Sequence, residues 1–229
     1  MIDDEELLTP AATVLILRDG SAGLEVLMLR RDAKGQFGGM WVFPGGKVDD
    51  HEIVPGDSLA SARVAAVREV EEETGLALAP GALETWAHWM PPVIAAVPGR
   101  PAVRRFSTWF FVTPDPAGDV AIDGSEILDH VWLTPAEAMA RRHAGEIELV
   151  PPTWVTLYQL DAHPTVADAM AWARANEPER FRTRPIHKDP VTLAWFGDVA
   201  YDGGRHDADG PRHRLAMEPE GWVYHRTVD

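Results

Sequence analysis

The stretch that decides the fold is Arg68-Glu69-Val70-Glu71-Glu72-Glu73-Thr74-Gly75-Leu76, which follows the run Phe43-Pro44-Gly45-Gly46 along the chain. On a helix, positions 69, 72 and 73 are related as i, i+3 and i+4, so their three carboxylates lie on one face. Like charges at this spacing repel one another unless a cation neutralises them. Carboxylate oxygens are ligands that Mg²⁺ and Mn²⁺ prefer. The stretch therefore predicts a helix that binds a divalent metal ion.

The residues around the glutamates predict where this helix begins and which side it buries. Asp57 or Ser58 can cap its N-terminus, because either side chain can accept a hydrogen bond from a free backbone N–H. Ala62 and Ala65 lie on the side of the carboxylates, where small side chains let a ligand or a loop approach. The opposite arc is apolar and should face a core, and it consists of Leu59, Val64, Val67 and Val70.

Upstream of the helix, residues 41–43 read as a short apolar strand that Pro44 stops. Gly45 and Gly46 can adopt backbone angles closed to other residues and can turn a carbonyl toward a metal. This order of strand, Gly-Gly loop and acidic helix resembles the Nudix box, G-x5-E-x7-R-E-U-x-E-E-x-G-U, in which U is aliphatic. Gly46 occupies its first position, and residues 68–76 fill its second half without a departure.

The resemblance implies an α+β fold of the Nudix type, an α/β/α sandwich with a mixed sheet between helices, followed by a C-terminal extension. Residues 1–162 are expected to form the Nudix hydrolase domain, with the box at 46–76. Residues 163–229 are expected to add a helix and a hairpin packed on the same domain. This tail is compatible with capping the active site, completing the fold or forming a homodimer interface.

The middle of the box departs from the family pattern. Glu52 stands at the expected distance from Gly46, but fifteen residues separate it from Arg68, where the family has seven. An insertion of eight residues, near 53–60, should therefore loop out, and Pro55-Gly56 suits a turn. Four acidic residues compete for the role of the first acid of the box: Asp49, Asp50, Glu52 and Asp57.

The resemblance also implies roles for individual residues. One to three Mg²⁺ or Mn²⁺ ions would be held by the carbonyl of Gly45 and by Glu69, Glu72 and Glu73, with Gly46 next to the substrate. Such ions neutralise a pyrophosphate and lower the pKa of an attacking water. Arg68 would brace a glutamate of the helix. Glu126, just before the predicted strand 127–133, is the candidate distal general base.

Composition agrees with a soluble, cytoplasmic enzyme, and the resemblance implies a small nucleotide-derived molecule as its substrate. The chain has 229 residues, 45% of them hydrophobic, and no Cys, so disulfides and thiolate metal sites are excluded. The acidic start lacks the basic region of a secretory signal, and no run is long enough to span a membrane. A formal net charge of −15 argues against nucleic acid as a partner.

A narrower resemblance lies outside the box, in an ordered series of segments: 42–49, 89–92, 104–106, 110–111, 132–138 and 151–153. The series is similar to the Nudix branch that contains the peroxisomal coenzyme A diphosphatase and bacterial relatives. It implies hydrolysis of coenzyme A or acyl-coenzyme A to 3′,5′-ADP and phosphopantetheine or its acylated form.

Two further questions stay open at this point. Arg104 and Arg105 are candidates for binding a substrate phosphate, since guanidinium matches phosphate oxygens. On an alternating strand, only one of them can face the site. The alternatives to coenzyme A are ADP-ribose, NADH or a dinucleoside polyphosphate as substrate, or a Nudix module that binds a nucleotide without turnover.

Overall fold

The computed structural model describes residues 8–34, 37–92 and 104–227. Within these ranges the main sheet has eight strands: β1 (Thr9–Gly20), β2 (Gly23–Arg31), β3 (Trp41–Val42), β4 (Gly45–Lys47), β5 (Glu84–Met90), β6 (Phe106–Pro114), β7 (Ile127–Leu133) and β8 (Glu179–Arg182). Six of them follow the order β3-β2-β1-β6-β5-β8, while β4 pairs with β1 and β7 with β2. The β1/β6 and β5/β8 pairs are parallel and the others antiparallel, so the sheet is mixed.

The sheet lies between two layers of helices. Strand β1 shows the division, because alternate residues of a strand face opposite sides. Val14 and Ile16 pack against α1 (Ser58–Thr74). Leu15 and Leu17 belong to the core on the other side, which is covered by α2 (Pro135–His143), α3 (Pro151–Leu160) and α4 (Val166–Ala175). The predicted sandwich of a mixed sheet between helices is confirmed.

Helix α1 has the predicted ends, but its buried face is shifted toward its small residues. The side chain of Asp57 accepts a hydrogen bond from the backbone N–H of Ala60 at 2.9 Å, and Gly75 closes the helix at φ 70°. The buried residues are mostly small, namely Ser61, Ala62, Ala65 and Ala66, followed by Val70. Val64, predicted to face the core, is 50% exposed. Val70 of the predicted arc is buried, and Leu59 and Val67 pack against the same core, so only Val64 departs from the prediction. The small side chains at 61, 62, 65 and 66 let the helix pack close to the sheet.

The segment before α1 divides into two parts. Residues 53–57 form a surface loop, and residues 58–60 belong to the first turn of α1. The looped part is therefore shorter than the predicted 53–60. It follows a single 3₁₀ turn, Asp50–Glu52, which carries Glu52 into the interior.

The tail continues the main sheet before it forms a second one. β8 adds to the sheet beside β5, and Phe181 of β8 stacks on Trp89 of β5 with ring centroids 3.8 Å apart. The chain then builds a separate antiparallel sheet in the order β12-β11-β10-β9, from β9 (Arg184–Lys188), β10 (Val191–Ala194), β11 (His213–Glu218) and β12 (Gly221–Arg226). No helix in the described ranges has both the length and the apolar character to cross a bilayer.

Candidate active site

Strand β4 presents the backbone of Gly45 to helix α1. The N–H of Val14 bonds to the carbonyl of Pro44, and the N–H of Val48 bonds to that of Pro10. In an antiparallel ladder, this register makes Thr13 and Gly45 a non-hydrogen-bonded pair. The backbone groups of Gly45 are therefore left out of the ladder with β1. Its N–H donates instead to Oε2 of Glu73, at 2.8 Å.

Glu73 lies at the centre of the candidate site. It is buried, and it accepts hydrogen bonds from Gly45 and from Nη1 of Arg31, the latter at 3.1 Å. Burial raises the pKa of Glu73 to about 7, although both hydrogen-bond donors favour the charged form. This carboxylate therefore lies where further positive charge would stabilise it.

Glu69 lies one turn earlier on the same side of α1. Its side chain is largely buried, and this burial raises its pKa. A Cβ atom added to Gly46 would collide with the Glu69 carboxylate, so only glycine allows β4 and this side chain to approach as they do. The backbone of Gly45 thus lies against Glu73 and that of Gly46 against Glu69, with no side chain between them.

Arg68 pairs with Glu52, one of the four candidates for the first acid of the box. Its Nε donates to Oε1 of Glu52 at 2.7 Å, and its Nη2 donates to Oε2 at 2.9 Å. Glu52 is buried, and its hydrogen bonds with Arg68 lower its pKa. Of the other three candidates, Asp49 lies 3.9 Å from Arg68, Asp57 caps α1, and Asp50 is exposed in the 3₁₀ turn. Glu52 is therefore the acid that meets the arginine of the box.

The same guanidinium also spans the acidic face of α1. Nη1 of Arg68 donates to both Glu69 and Glu72, at 2.9 Å in each case. Glu72 is 60% exposed, so it lies at the rim. Within the described residues, no three Asp, Glu or His side chains are already arranged to hold a cation. Arg68 occupies the space between the carboxylates in this arrangement.

The donor set nevertheless suits a divalent metal ion. Glu69 and Glu73 are buried carboxylates whose pKa values are raised by burial, and the carbonyl of Gly45 lies at the same edge. Carboxylate and carbonyl oxygens are the hard ligands that Mg²⁺ and Mn²⁺ prefer. A cation beside them would supply the charge that burial leaves uncompensated.

Arg31 connects the site to the distal acid, and it is not among the residues that the sequence singled out. Its Nη1 donates to Glu73, and its Nη2 donates to Oε2 of Glu126 at 3.0 Å. Glu126 is 71% exposed and faces solvent beside the buried glutamate. The sequence could have indicated Arg31 only through its position, because it ends β2, the strand that pairs with β3 just before the Gly-Gly loop.

The two candidate phosphate-binding arginines point to different places. A hydrogen bond with Asp49 raises the pKa of Lys47, and the charge of Arg104 opposes this shift, so Arg104 lies near the end of β4. Arg105 instead lines a cleft that it shares with Arg182 and Arg184 of the tail. Both residues precede β6, and phosphate binding by either of them stays a prediction.

A protein-family comparison can now be set beside this geometry. The family model described as the NUDIX domain matches residues 7–153, which is more than half of the chain. The chain belongs to the Nudix family. Enzymes of this family generally use divalent metal ions, in agreement with the carboxylates of α1.

Nudix hydrolases are also found among its individual relatives. Nudix hydrolase 7 of Caenorhabditis elegans is 29% identical over 167 residues, which cover 59% of this chain and 55% of that protein. The acyl-coenzyme A diphosphatase NUDT19 of Gallus gallus is 35% identical over 83 residues, which cover 34% of this chain and 21% of that protein. This chain thus spans about half the length of the first relative and about a fifth of the second.

A solved structure supports the Nudix fold. A Nudix hydrolase from Alicyclobacillus acidocaldarius superposes with a TM-score of 0.60 at 25% identity, covering 72% of this chain and 96% of that one. The predicted α+β Nudix fold is confirmed. The second sheet of the tail, β9 to β12, follows the residues that the Nudix family model matches.

Proposed function

We propose that this Nudix hydrolase is metal-dependent and cleaves the pyrophosphate of a nucleoside-diphosphate-linked substrate, with coenzyme A or acyl-coenzyme A preferred. The observation that carries the first part is the burial of Glu69 and Glu73 against Gly45 and Gly46. Two buried carboxylates with raised pKa values form a site for a cation, and phosphate is the ligand that such a cation recruits.

The proposed metal is Mg²⁺ or Mn²⁺, held by the carbonyl of Gly45 and by Glu69, Glu72 and Glu73. When bound, it neutralises pyrophosphate charge and makes an attacking water more acidic. Arg68 is assigned a positioning role, since it contacts Glu52, Glu69 and Glu72 at once. It fixes the helix carboxylates relative to the 3₁₀ turn without contacting the substrate.

Glu126 is the proposed general base. The guanidinium of Arg31 donates hydrogen bonds to both Glu126 and Glu73, so the exposed carboxylate of Glu126 lies close to the buried one. A water beside the two acids can therefore lose its proton to Glu126. The water oxygen then bonds to one phosphorus, the P–O–P bridge breaks, and the bridging oxygen leaves with the second phosphoryl group. The products are two phosphate monoesters, 3′,5′-ADP and phosphopantetheine when the substrate is coenzyme A.

The coenzyme A preference is supported by two observations. One is the ordered series of segments that resembles the coenzyme A diphosphatase branch, and the other is the identity of 35% with a protein named acyl-coenzyme A diphosphatase. Arg104, whose charge reaches Lys47 at the end of β4, is the proposed contact to a substrate phosphate near the metal. Gly46, whose backbone lies beside the carboxylate of Glu69, is the proposed backbone contact to the substrate.

A hydrolysis screen with products identified by mass spectrometry tests the proposal. The panel consists of coenzyme A, acetyl-coenzyme A, ADP-ribose, NADH and diadenosine tetraphosphate, each with Mg²⁺, Mn²⁺ or EDTA. We expect 3′,5′-ADP from the two coenzyme A compounds at the highest kcat/KM, and no product with EDTA. Glu73→Gln is the inactive comparison. Glu71→Gln is the matched control, because Glu71 lies on the same helix but is exposed on another side.

Each other outcome removes a defined part of the proposal. AMP from ADP-ribose or NADH as the main product would keep the metal chemistry and discard the substrate. Turnover that survives EDTA would discard the metal. Binding of panel compounds without turnover, seen as shifts in melting temperature, would favour a nucleotide-binding Nudix module.

A further inference from the structure

A second site for phosphate lies at the junction between the main sheet and the tail. Arg105, Arg182 and Arg184 line one cleft of about 300 Å³, and no acidic residue lines it within the described ranges. Asp202 lies outside this lining and pairs with Arg184 at 3.0 Å, so it offsets part of the positive charge at the rim. The cleft thus brings guanidinium groups from β8, from β9 and from the segment before β6 to one small space.

Arg105 provides an independent sign of a missing ligand. Its Nε atom is buried and has no hydrogen-bond partner among the described residues. Buried donors of this kind are rare because each costs free energy when it lacks an acceptor. A phosphate oxygen in the cleft is an acceptor of the right charge, since guanidinium and phosphate form parallel, charge-assisted hydrogen bonds.

Arg184 is held by the tail in a way that leaves donors available. Its Nη1 donates to the carbonyl of Tyr201 and to Asp202, each at 3.0 Å, and its guanidinium carbon lies 4.4 Å from the centre of the Tyr201 ring. Both of these hydrogen bonds use the same nitrogen. Because arginine has five N–H donors, Nε and Nη2 can still serve a ligand. The tail thus places a fixed cation at the rim of the cleft.

The cleft and the candidate metal site lie on the same side of the main sheet. Trp109 packs in the core beneath α1, and strand alternation puts Arg105 on the side of Trp109. In β8, Phe181 belongs to the opposite core, so Arg182 also points to the α1 side. Gly46 and Trp109 flank Ala12 in the register. Arg105 lies four residues before Trp109, and Trp109 lies two strands away from Gly46. With a rise of about 3.3 Å per residue and a strand spacing of about 4.8 Å, the backbones of Arg105 and Gly46 are roughly 15 Å apart.

We infer that Arg105, Arg182 and Arg184 bind a phosphomonoester that the substrate carries in addition to its pyrophosphate. The inference rests on the proposed function and narrows it, because coenzyme A has a 3′-phosphate while ADP-ribose and NADH have no phosphomonoester. A nucleoside joins the two phosphate groups of coenzyme A, and an arginine side chain covers part of the distance between the sites. The cleft would therefore select the substrate at a point remote from the bond that breaks.

Calorimetry without metal tests this inference separately from catalysis. The ligands are 3′,5′-ADP and AMP, which differ only in the 3′-phosphate, and inorganic phosphate is the third probe. We expect the wild-type protein to bind 3′,5′-ADP at least about tenfold more tightly than AMP. Arg105→Gln and Arg182→Gln should each reduce this preference severalfold without changing the affinity for AMP. Arg141→Gln is the matched control, since it removes the same charge from a partly exposed position on α2, outside the cleft.

The remaining outcomes overturn the inference in distinct ways. Equal affinities of the wild-type protein for 3′,5′-ADP and AMP, or a preference that survives both substitutions, would show that the cleft does not bind the 3′-phosphate. Binding of inorganic phosphate that Arg105→Gln abolishes, with the preference for 3′,5′-ADP intact, would assign the cleft to a separate phosphate compound. Melting temperatures check that the variants fold. By contrast, a preference that both substitutions reduce would support the inference even if the hydrolysis screen failed, and only the proposed reaction would then be overturned.

Discussion

Glu52 and Arg68 are joined by two hydrogen bonds of 2.7 and 2.9 Å, although fifteen residues separate them in the chain. The pairing survives the insertion because the 3₁₀ turn at 50–52 ends before the loop begins, so the extra residues stay on the surface. The backbone N–H of Asp49 also donates to Glu52, at 2.8 Å. The carboxylate of Glu52 is thus held by the backbone of Asp49 on one side and by Arg68 on the other.

Replacing this carboxylate should weaken the fold. Glu52→Gln keeps the shape but removes the charge that the buried end of Arg68 faces, and we expect the free energy of unfolding to fall by about 2 kcal/mol. Urea denaturation measures it. Asp50→Asn is the control, because Asp50 lies exposed in the same turn. An equal loss in both variants would mean that the turn itself, and not the pair with Arg68, was disturbed.

The two buried glutamates of α1 should be needed for metal binding more than for folding. Glu69→Gln and Glu73→Gln should lower kcat by at least about 100-fold, because a metal contributes several kcal/mol to charge stabilisation. Mn²⁺ affinity, measured by calorimetry, should fall in parallel. Glu71→Gln should keep both properties. Wild-type Mn²⁺ affinity in both variants would contradict the proposed ligand set.

Adding a methyl group at Gly46 should displace Glu69. In Gly46→Ala the new Cβ atom occupies the position of the Glu69 carboxylate, so that side chain must move away from β4. We expect at least about a tenfold loss of kcat/KM from a displacement on the order of 1 Å. Gly81→Ala is the matched control, as its Cβ would meet no atom. An active Gly46→Ala variant would show that the close approach of β4 is not required.

Variants of Glu126 and of Asp129 on β7 should show whether Glu126 is a general base or only a surface charge. Glu126→Gln should lower kcat by about 100-fold or more and leave KM nearly unchanged, since a base acts in the chemical step. Asp129→Asn removes another exposed acid, one that lies 3.8 Å from Arg30, and should leave kcat as it is. If Glu126→Gln changes only the melting temperature, Glu126 merely pairs with Arg31.

His88 should make stability depend on pH. Its ring stacks on Trp109 with centroids 4.0 Å apart, and burial, helped by the charge of Arg180, lowers its pKa to about 4. The unfolded chain takes up this proton near pH 6.5, so the stabilisation is complete above that value and is lost as the pH falls toward 4. The loss should be roughly 3 kcal/mol.

Urea denaturation between pH 4 and 7.5 measures the effect of His88. His88→Gln, which can still hydrogen-bond to Ser107, should have a shallower pH dependence than the wild-type protein. His51→Gln, at an exposed position, should not. Identical slopes for the wild-type protein and His88→Gln would assign the pH dependence to other groups.

The parts of the molecule that sequence could predict are those with local causes. The ends of α1 follow from a capping side chain at Asp57 and a left-handed glycine at position 75, and both act within one turn. β7 was predicted at its observed bounds, and the capping residue Thr134, which begins α2, marks where the strand ends. The order of strand, glycine pair and acidic helix likewise lies in one continuous segment.

The parts that sequence missed depend on contacts between distant segments. Val64 is exposed because the sheet approaches α1 along its alanines, and nothing in the helix alone reveals that distance. Arg31 meets Glu73 and Glu126 only after three separate segments have folded. In the tail, where one hairpin was expected, four strands form a separate sheet, because β10 pairs with β11 across a long connection.

The pairing of β8 with β5 has a consequence for any shortened form of this chain. A fragment cut after residue 153, where the match to the family ends, would leave β5 as an open edge with unpaired backbone groups. It would also remove Phe181 and Trp195, two of the aromatic rings that pack on Trp89. We expect such a fragment to aggregate through its bare edge. We therefore expect the smallest stably folded unit of this enzyme to extend well past the family domain, into a segment that a boundary drawn from relatives would discard.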